Sequence, residues 1–117
     1  SFLNKIEMLD ENIYKRKSNA KYLYDNLSSK NLTKPIFRES DVYWRYPALY
    51  KKNRELLINK AGKKKIIITS HYPALNNFQY NSKLKNAKIF NDSIINFFVK
   101  NKTPRRYLNT ICHLLNN

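Results

Sequence analysis

Val42-Tyr43-Trp44-Arg45-Tyr46-Pro47-Ala48-Leu49-Tyr50 decides the fold class of this chain. The stretch is rich in aromatic and branched residues, which suit a pleated, half-buried surface better than a helix. It predicts a strand. Pro47 inside it removes a ladder donor, so the strand lies at an edge or bulges there. A second β-branched run, Ile66-Ile67-Ile68-Thr69, predicts another strand near 66–70, which Pro73 ends. Both runs are embedded among helical patterns. The expected class is therefore α+β, with a small antiparallel or mixed sheet covered by helices mainly on one face.

Outward from this centre, the N-terminal stretch carries Phe2, Ile6, Leu9, Ile13, Arg16, Ala20, Leu23 and Leu27, alternately four and three residues apart. Such spacing makes one apolar stripe on a long helix. Arg16 alone interrupts it. A helix of that length runs to about 40 Å, more than a small sheet can cover. Its N-terminal half is expected to expose its stripe and to require a partner. Ser28-Ser29-Lys30-Asn31 ends it. Further on, Asn53 is a suitable cap for a short helix through Ala61, with Gly62, the only glycine, at its C′ position. Asn86 is expected to cap a helix carrying Ala87, Phe90 and Ile94, and residues 96–99 to form a third strand. Thr103-Pro104 opens a last helix with Tyr107, Leu108, Ile111, Leu114 and Leu115 on one face. The expected organisation is a single domain over 1–117, with a long helix over 1–30 and the sheet and remaining helices over 31–117.

Composition bounds the partners. The aromatic content, 9 Tyr, 6 Phe and 1 Trp, supports a packed core. No run is long and apolar enough to cross a membrane, and the acidic Glu7, Asp10 and Glu11 do not suit a signal peptide. The lone Cys112 has no disulfide partner within the chain, and a reducing cytoplasm is the expected location. The net charge of +15 invites a nucleic-acid reading. However, the chain holds 17 Lys, 17 Asn and 11 Ile, residues favoured by AT-rich codons, and the lysines are spread along it. A solvated cationic surface explains them, and nucleic acid is not the expected partner.

Little catalytic chemistry is present. His71 and His113 stand apart, and there is no C-x-x-C or H-x-x-x-H pattern, so no metal site is expected. Cys112 and His113 are helical neighbours whose side chains diverge by about 100°, too far apart to share a proton. One glycine excludes a phosphate-binding loop or a dinucleotide fingerprint. His71-Tyr72-Pro73 sits where a strand breaks, a place that presents side chains to a cleft. Histidine there could move a proton or bond a phosphate near neutral pH, and the tyrosine phenol could bond a sugar or phosphate oxygen. The plainer alternative is that Tyr72 packs on the sheet and His71 is surface.

Several stretches in order resemble the C-terminal domain of the DegT/DnrJ/EryC1/StrS family of pyridoxal-phosphate-dependent sugar-nucleotide aminotransferases. Arg16-Lys17-Ser18-Asn19-Ala20-Lys21-Tyr22-Leu23 is similar to the family's R-x-x-N-A helix, and Val42–Pro47 to its aromatic strand. Lys52-Asn53-Arg54-Glu55-Leu56-Leu57 is similar to an N-R-D helix start. His71-Tyr72-Pro73-Ala74-Leu75 resembles the Y-P-x-L turn, and Asn86-Ala87 followed by Ile94-Ile95-Asn96-Phe97 the later N-A stretch. Lys63-Lys64-Lys65 replaces the usual Gly-Ile, and Phe98-Val99 stands where Leu-Pro is common.

The resemblance implies the small domain of a fold-type-I pyridoxal-phosphate enzyme. The intact protein would move an amino group, usually from glutamate, to a nucleotide-linked keto sugar in polysaccharide or amino-sugar biosynthesis. It also implies a large cofactor domain absent from this chain and a homodimer. Trp44, Tyr46, His71 and Tyr72 would lie nearest the nucleotide-sugar substrate. No catalytic or cofactor-binding residue is expected within the chain, and the fragment is expected to be inactive alone. Ser29-Lys30-Asn31-Leu32 looks like the segment around a cofactor lysine, but it lies at a helix end without the glycine-rich continuation such a site needs. The competing reading is a basic nucleic-acid-binding or stand-alone interaction domain.

Overall fold

The computed structural model describes residues 2–41, 43–70 and 92–116. Helix α1 spans Phe2–Asn26, followed by strands β1 (Leu32–Thr33) and β2 (Arg45–Tyr50). Helix α2 (Arg54–Lys63), strands β3 (Ile68–Thr69) and β4 (Ile94–Phe98), and helix α3 (Arg105–Asn116) complete the order. The four strands form one antiparallel sheet in the order β1-β2-β4-β3. This is the expected α+β architecture, and the sheet is antiparallel rather than mixed.

The register sorts side chains onto two faces. Ile68 pairs with Phe97, which pairs with Tyr46, while Ala48 pairs with Ile95. All five are buried in one cluster with Leu57 and Ala61 of α2, Leu23 and Leu27 of α1, and Leu108 and Ile111 of α3. The helices therefore cover this face. Arg45, Pro47, Asn96, Phe98 and Thr69 alternate onto the other. Each fully buried Leu, Ile or Phe contributes about 1.5–3 kcal/mol. β2 is internal overall, yet β1 pairs only with Leu49 and Tyr50. At Pro47 the β1 side is therefore an unpaired edge, which accommodates the missing donor.

Three boundaries differ from the sequence expectation. The first strand begins at Arg45, leaving Trp44 outside it. Ile94 was expected on a helix but opens β4, whose first four residues are all buried. A strand covered on both sides reads as a continuous apolar run, not as an alternation. Gly62 lies within α2, and the left-handed position is Lys65, at φ 62°. Ile66 donates to the Ala61 carbonyl at 2.9 Å and Lys65 to the Gly62 carbonyl at 3.0 Å, the two bonds of a Schellman motif. Ile66 and Ala61, both buried, supply its apolar contact, so Ile66 seals the helix and the strand starts only at Ile68. The Asn53 cap is present, its side chain accepting from the Leu56 amide at 3.1 Å.

The end of α1 is held from a distance, because its last turn carries no basic residue. Lys34 Nζ donates to the Tyr24 and Leu27 carbonyls at 2.7 and 2.6 Å. Asn116 of α3 donates to the Asn26 carbonyl and accepts from the Ser28 amide, both at 2.8 Å. Orphan groups at the helix terminus are thus satisfied by the two elements packed beside it. Toward its other end α1 leaves the sheet. Of the predicted stripe Ile6 is 41% and Leu9 53% exposed, and Ile13 is half-buried; Leu3, outside the stripe, is 70% exposed.

Candidate functional site

The chemistry-bearing side chains gather where α1 passes the start of β2 and the end of β4. Trp44 precedes β2 and is 58% exposed. Arg16, the residue that interrupts the α1 stripe, places its guanidinium 4.8 Å from the Trp44 ring centre. Its place on the stripe is explained by this reach: a long cationic stem packs along apolar surface and ends on an aromatic face. One residue on, Arg45 lies opposite Phe98 in the ladder, its guanidinium 5.5 Å from the ring centre. Lys100 Nζ stands 5.6 Å from the same ring. The turn bearing Lys100 is pinned to α1, since Asn19 Nδ2 donates to the Lys100 carbonyl at 2.7 Å.

The cations thus sit on rings in two groups, Arg16 on Trp44 and Arg45 with Lys100 on Phe98. The ion pairs found among the described residues, Glu11–Lys15 and Lys21–Asp25, are both within α1. Neither involves Arg16, Arg45 or Lys100. Cations held by rings, with no carboxylate answering them, leave N–H groups available to an anion.

Tyr46 was expected beside Trp44 at the substrate. Residues two apart share a face only within a regular strand, and Trp44 lies before the strand begins. Tyr46 instead faces the helices, 1% exposed, with its ring 6.4 Å from that of Phe97. Its hydroxyl has no hydrogen-bond partner among the described residues. Burial pushes the Tyr46 phenol well above the ordinary tyrosine range. It is a core residue of this chain. His71 and Tyr72 lie outside the described residues.

Other candidates resolve into structure. Cys112 is buried and its thiol is pushed up by that burial, whereas His113 is exposed on another side of α3. Lys30 is exposed in the turn after α1, where Ser29 Oγ accepts from the Asn31 amide at 3.1 Å. Lys34, the lysine most enclosed by partners, is committed to the α1 carbonyls. A cleft of about 130 Å³ lies between Met8, Glu11, Asn12, Lys15 and Asn101. That is well below the ~300–1,000 Å³ of a site for a small organic molecule. Among the described residues no three His, Cys, Asp or Glu side chains are grouped to hold a metal ion.

Arg45, Phe98 and Lys100 were not singled out by sequence. Their meeting depends on the β2–β4 register, which no local pattern encodes. The break at Arg16 was the one available signal.

The fold has clear counterparts among solved structures. Aminotransferase TlmJ from Streptoalloteichus hindustanus superposes with a TM-score of 0.75 at 12% identity, over 95% of this chain and 32% of its own. Spr1654 from Streptococcus pneumoniae, in its PMP form, gives 0.76 at 14% identity, over 97% of this chain and 32% of its own. A DegT DnrJ EryC1 StrS aminotransferase from Brucella abortus gives 0.74 at 14%, over 97% and 32%. The chain spans about a third of the length of the solved structures it matches. No family model and no curated protein sequence matches it.

Proposed function

We propose that this chain is the C-terminal small domain of a pyridoxal-phosphate-dependent aminotransferase acting on a nucleotide-linked keto sugar. The observation that carries the reading is the fold likeness, which takes in 95–97% of this chain and only 32% of each aminotransferase. The small share of each solved chain that is matched supports reading this domain as part of a longer enzyme. The ordered motifs from Arg16 to Phe97 point the same way, and they supply the sugar-nucleotide substrate class.

Pyridoxal phosphate, when bound, would supply the electron sink for moving the amino group. The described residues of this chain do not fit it. Lys34 is occupied, Lys30 is in an open turn, and the cleft is too small. In this proposal the cofactor and its lysine belong to the larger domain. The present chain closes one wall of the site through Trp44, and through His71 and Tyr72 beyond the described residues. The apolar face of Leu3, Ile6 and Leu9 would pack against the large domain or a second subunit. The alternative, a basic nucleic-acid-binding module, has only the net charge in its favour.

The test is an amino-transfer assay with glutamate and a nucleotide-linked keto sugar, run on the full gene product and on residues 1–117 alone. Transfer by the first and none by the second is expected. Transfer by neither, with the full product shown to be folded, would remove the assignment.

A further inference from the structure

We propose that Arg16 is a positioning residue, whose guanidinium fixes the Trp44 indole in the orientation that faces the site. The assignment rests on the preceding reading, in which Trp44 closes one wall of that site, and it names the group that holds the wall.

Position 16 lies on the apolar stripe of α1, with Ile13 before it and Ala20 after it. An aliphatic side chain there would serve packing alone. Arginine instead brings a planar cation to 4.8 Å from the Trp44 ring centre. The ion pairs among the described residues lie elsewhere on α1, so no carboxylate among them draws the guanidinium away.

The backbone on both sides of Trp44 is already fixed. Tyr43 is buried, its ring stacked on Phe37 at 5.2 Å, and its hydroxyl accepts from the Arg38 amide at 2.9 Å. Arg45 enters the β2–β4 ladder opposite Phe98. The α1 side is fixed as well. Lys17 Nζ donates to the Glu39 carbonyl, Lys21 Nζ lies 5.3 Å from the Phe37 ring centre, and Asn19 donates to the Lys100 carbonyl at 2.7 Å. What remains free is rotation about the Trp44 side-chain bonds. At 58% exposure the residue lacks the core packing that selects a rotamer. The Arg16 contact makes that choice. An exposed cation–ring contact favours its own geometry by about two- to five-fold. A wall held in that proportion reduces the ordering that substrate binding requires.

Trp44 is the only tryptophan, so its fluorescence reports on this ring alone. Time-resolved anisotropy of residues 1–117 separates indole held with the domain from indole rotating freely. Arg16→Met keeps an apolar stem and removes the cation. It should lower the ratio of held to free indole by about two- to five-fold, with unchanged far-UV circular dichroism. Arg16→Lys should fall between the two, because an ammonium is drawn to the ring but cannot stack on it. Arg105→Met removes a similar contact, with the Tyr22 ring at 4.0 Å, and should leave the ratio unchanged. An unchanged ratio in Arg16→Met overturns the proposal. So does an equal fall in Arg105→Met, which would mark a general loosening of α1. In the full gene product, Arg16→Met should raise KM for the nucleotide-linked keto sugar by up to the same factor at unchanged kcat. An unchanged KM overturns the role as well. Absence of transfer by the wild-type product would instead fail the preceding reading, and the anisotropy, which needs no substrate, then decides the role of Arg16.

Discussion

Tyr46→Phe separates a core role from a substrate-facing one. The Tyr46 side chain is 1% exposed, and its hydroxyl has no partner among the described residues. A buried hydroxyl without a hydrogen bond costs about 1–3 kcal/mol. Removing its oxygen leaves the ring against Phe97 and a void smaller than a methyl group. The net expectation is a gain of about 1 kcal/mol, or about 4 °C in Tm for a domain of this size. The pH dependence gives an independent check. The folded-state pKa of Tyr46 is raised above its unfolded value near 10, first by burial and then by the nearby Tyr24 and Tyr43. Its contribution is fully present below pH ~10 and is lost as pH rises, at about 1.4 kcal/mol per pH unit. Tyr43, also raised by burial, adds a second loss of the same sign. Urea denaturation from pH 8 to pH 11 should show the wild type losing stability above pH 10, and Tyr46→Phe losing it less steeply. A variant destabilised by about 1 kcal/mol or more would mean that the hydroxyl has a bound partner. The core assignment of Tyr46 would then fall.

Other variants test the local arguments. Lys65→Gly should stabilise by about 1 kcal/mol in thermal unfolding, because Lys65 holds a left-handed φ of 62° that only glycine adopts freely. Unchanged stability would place the Schellman turn elsewhere. Lys34→Met keeps the stem but removes both bonds to the α1 carbonyls, and should cost about 1–2 kcal/mol in urea denaturation. A cost near zero would leave the end of α1 held by Asn116 alone. Removing residues 1–13 should abolish self-association seen by light scattering, since Leu3, Ile6 and Leu9 are exposed. A chain that is monomeric with or without them would refute the role of the stripe.

The elements were legible where one physical signal dominated. The stripe from Phe2 to Leu27 marked α1 and also its overhang, because the apolar period continues past the length that a small sheet covers. Asn53 gave the start of α2 for the same local reason. Boundaries failed where tertiary packing chose between equivalent options. Gly62 looked like a helix stop, but the cluster needs Ile66 at the C″ position, so the helix runs on and Lys65 takes the strained turn. Ile94 looked like part of a helical face because a strand buried on both sides loses its alternation. The candidate site was half legible. Trp44 and the break at Arg16 could be read, but Arg45, Phe98 and Lys100 meet only through register. The strand begins three residues later than its aromatic content suggests, at Arg45 rather than Val42, which leaves Trp44 outside it while Tyr46 faces the core.

The central claim is that these residues are one end of an aminotransferase, and the reading frame upstream of the Ser1 codon tests it most directly. Sequencing the transcript through that point should show an in-phase frame encoding about two-thirds of an aminotransferase chain, in proportion to the 32% coverage of the solved structures. That stretch should contain a lysine in a cofactor-binding context. An initiation codon immediately before Ser1, with no such frame upstream, would contradict the account and leave a stand-alone domain that shares only the fold.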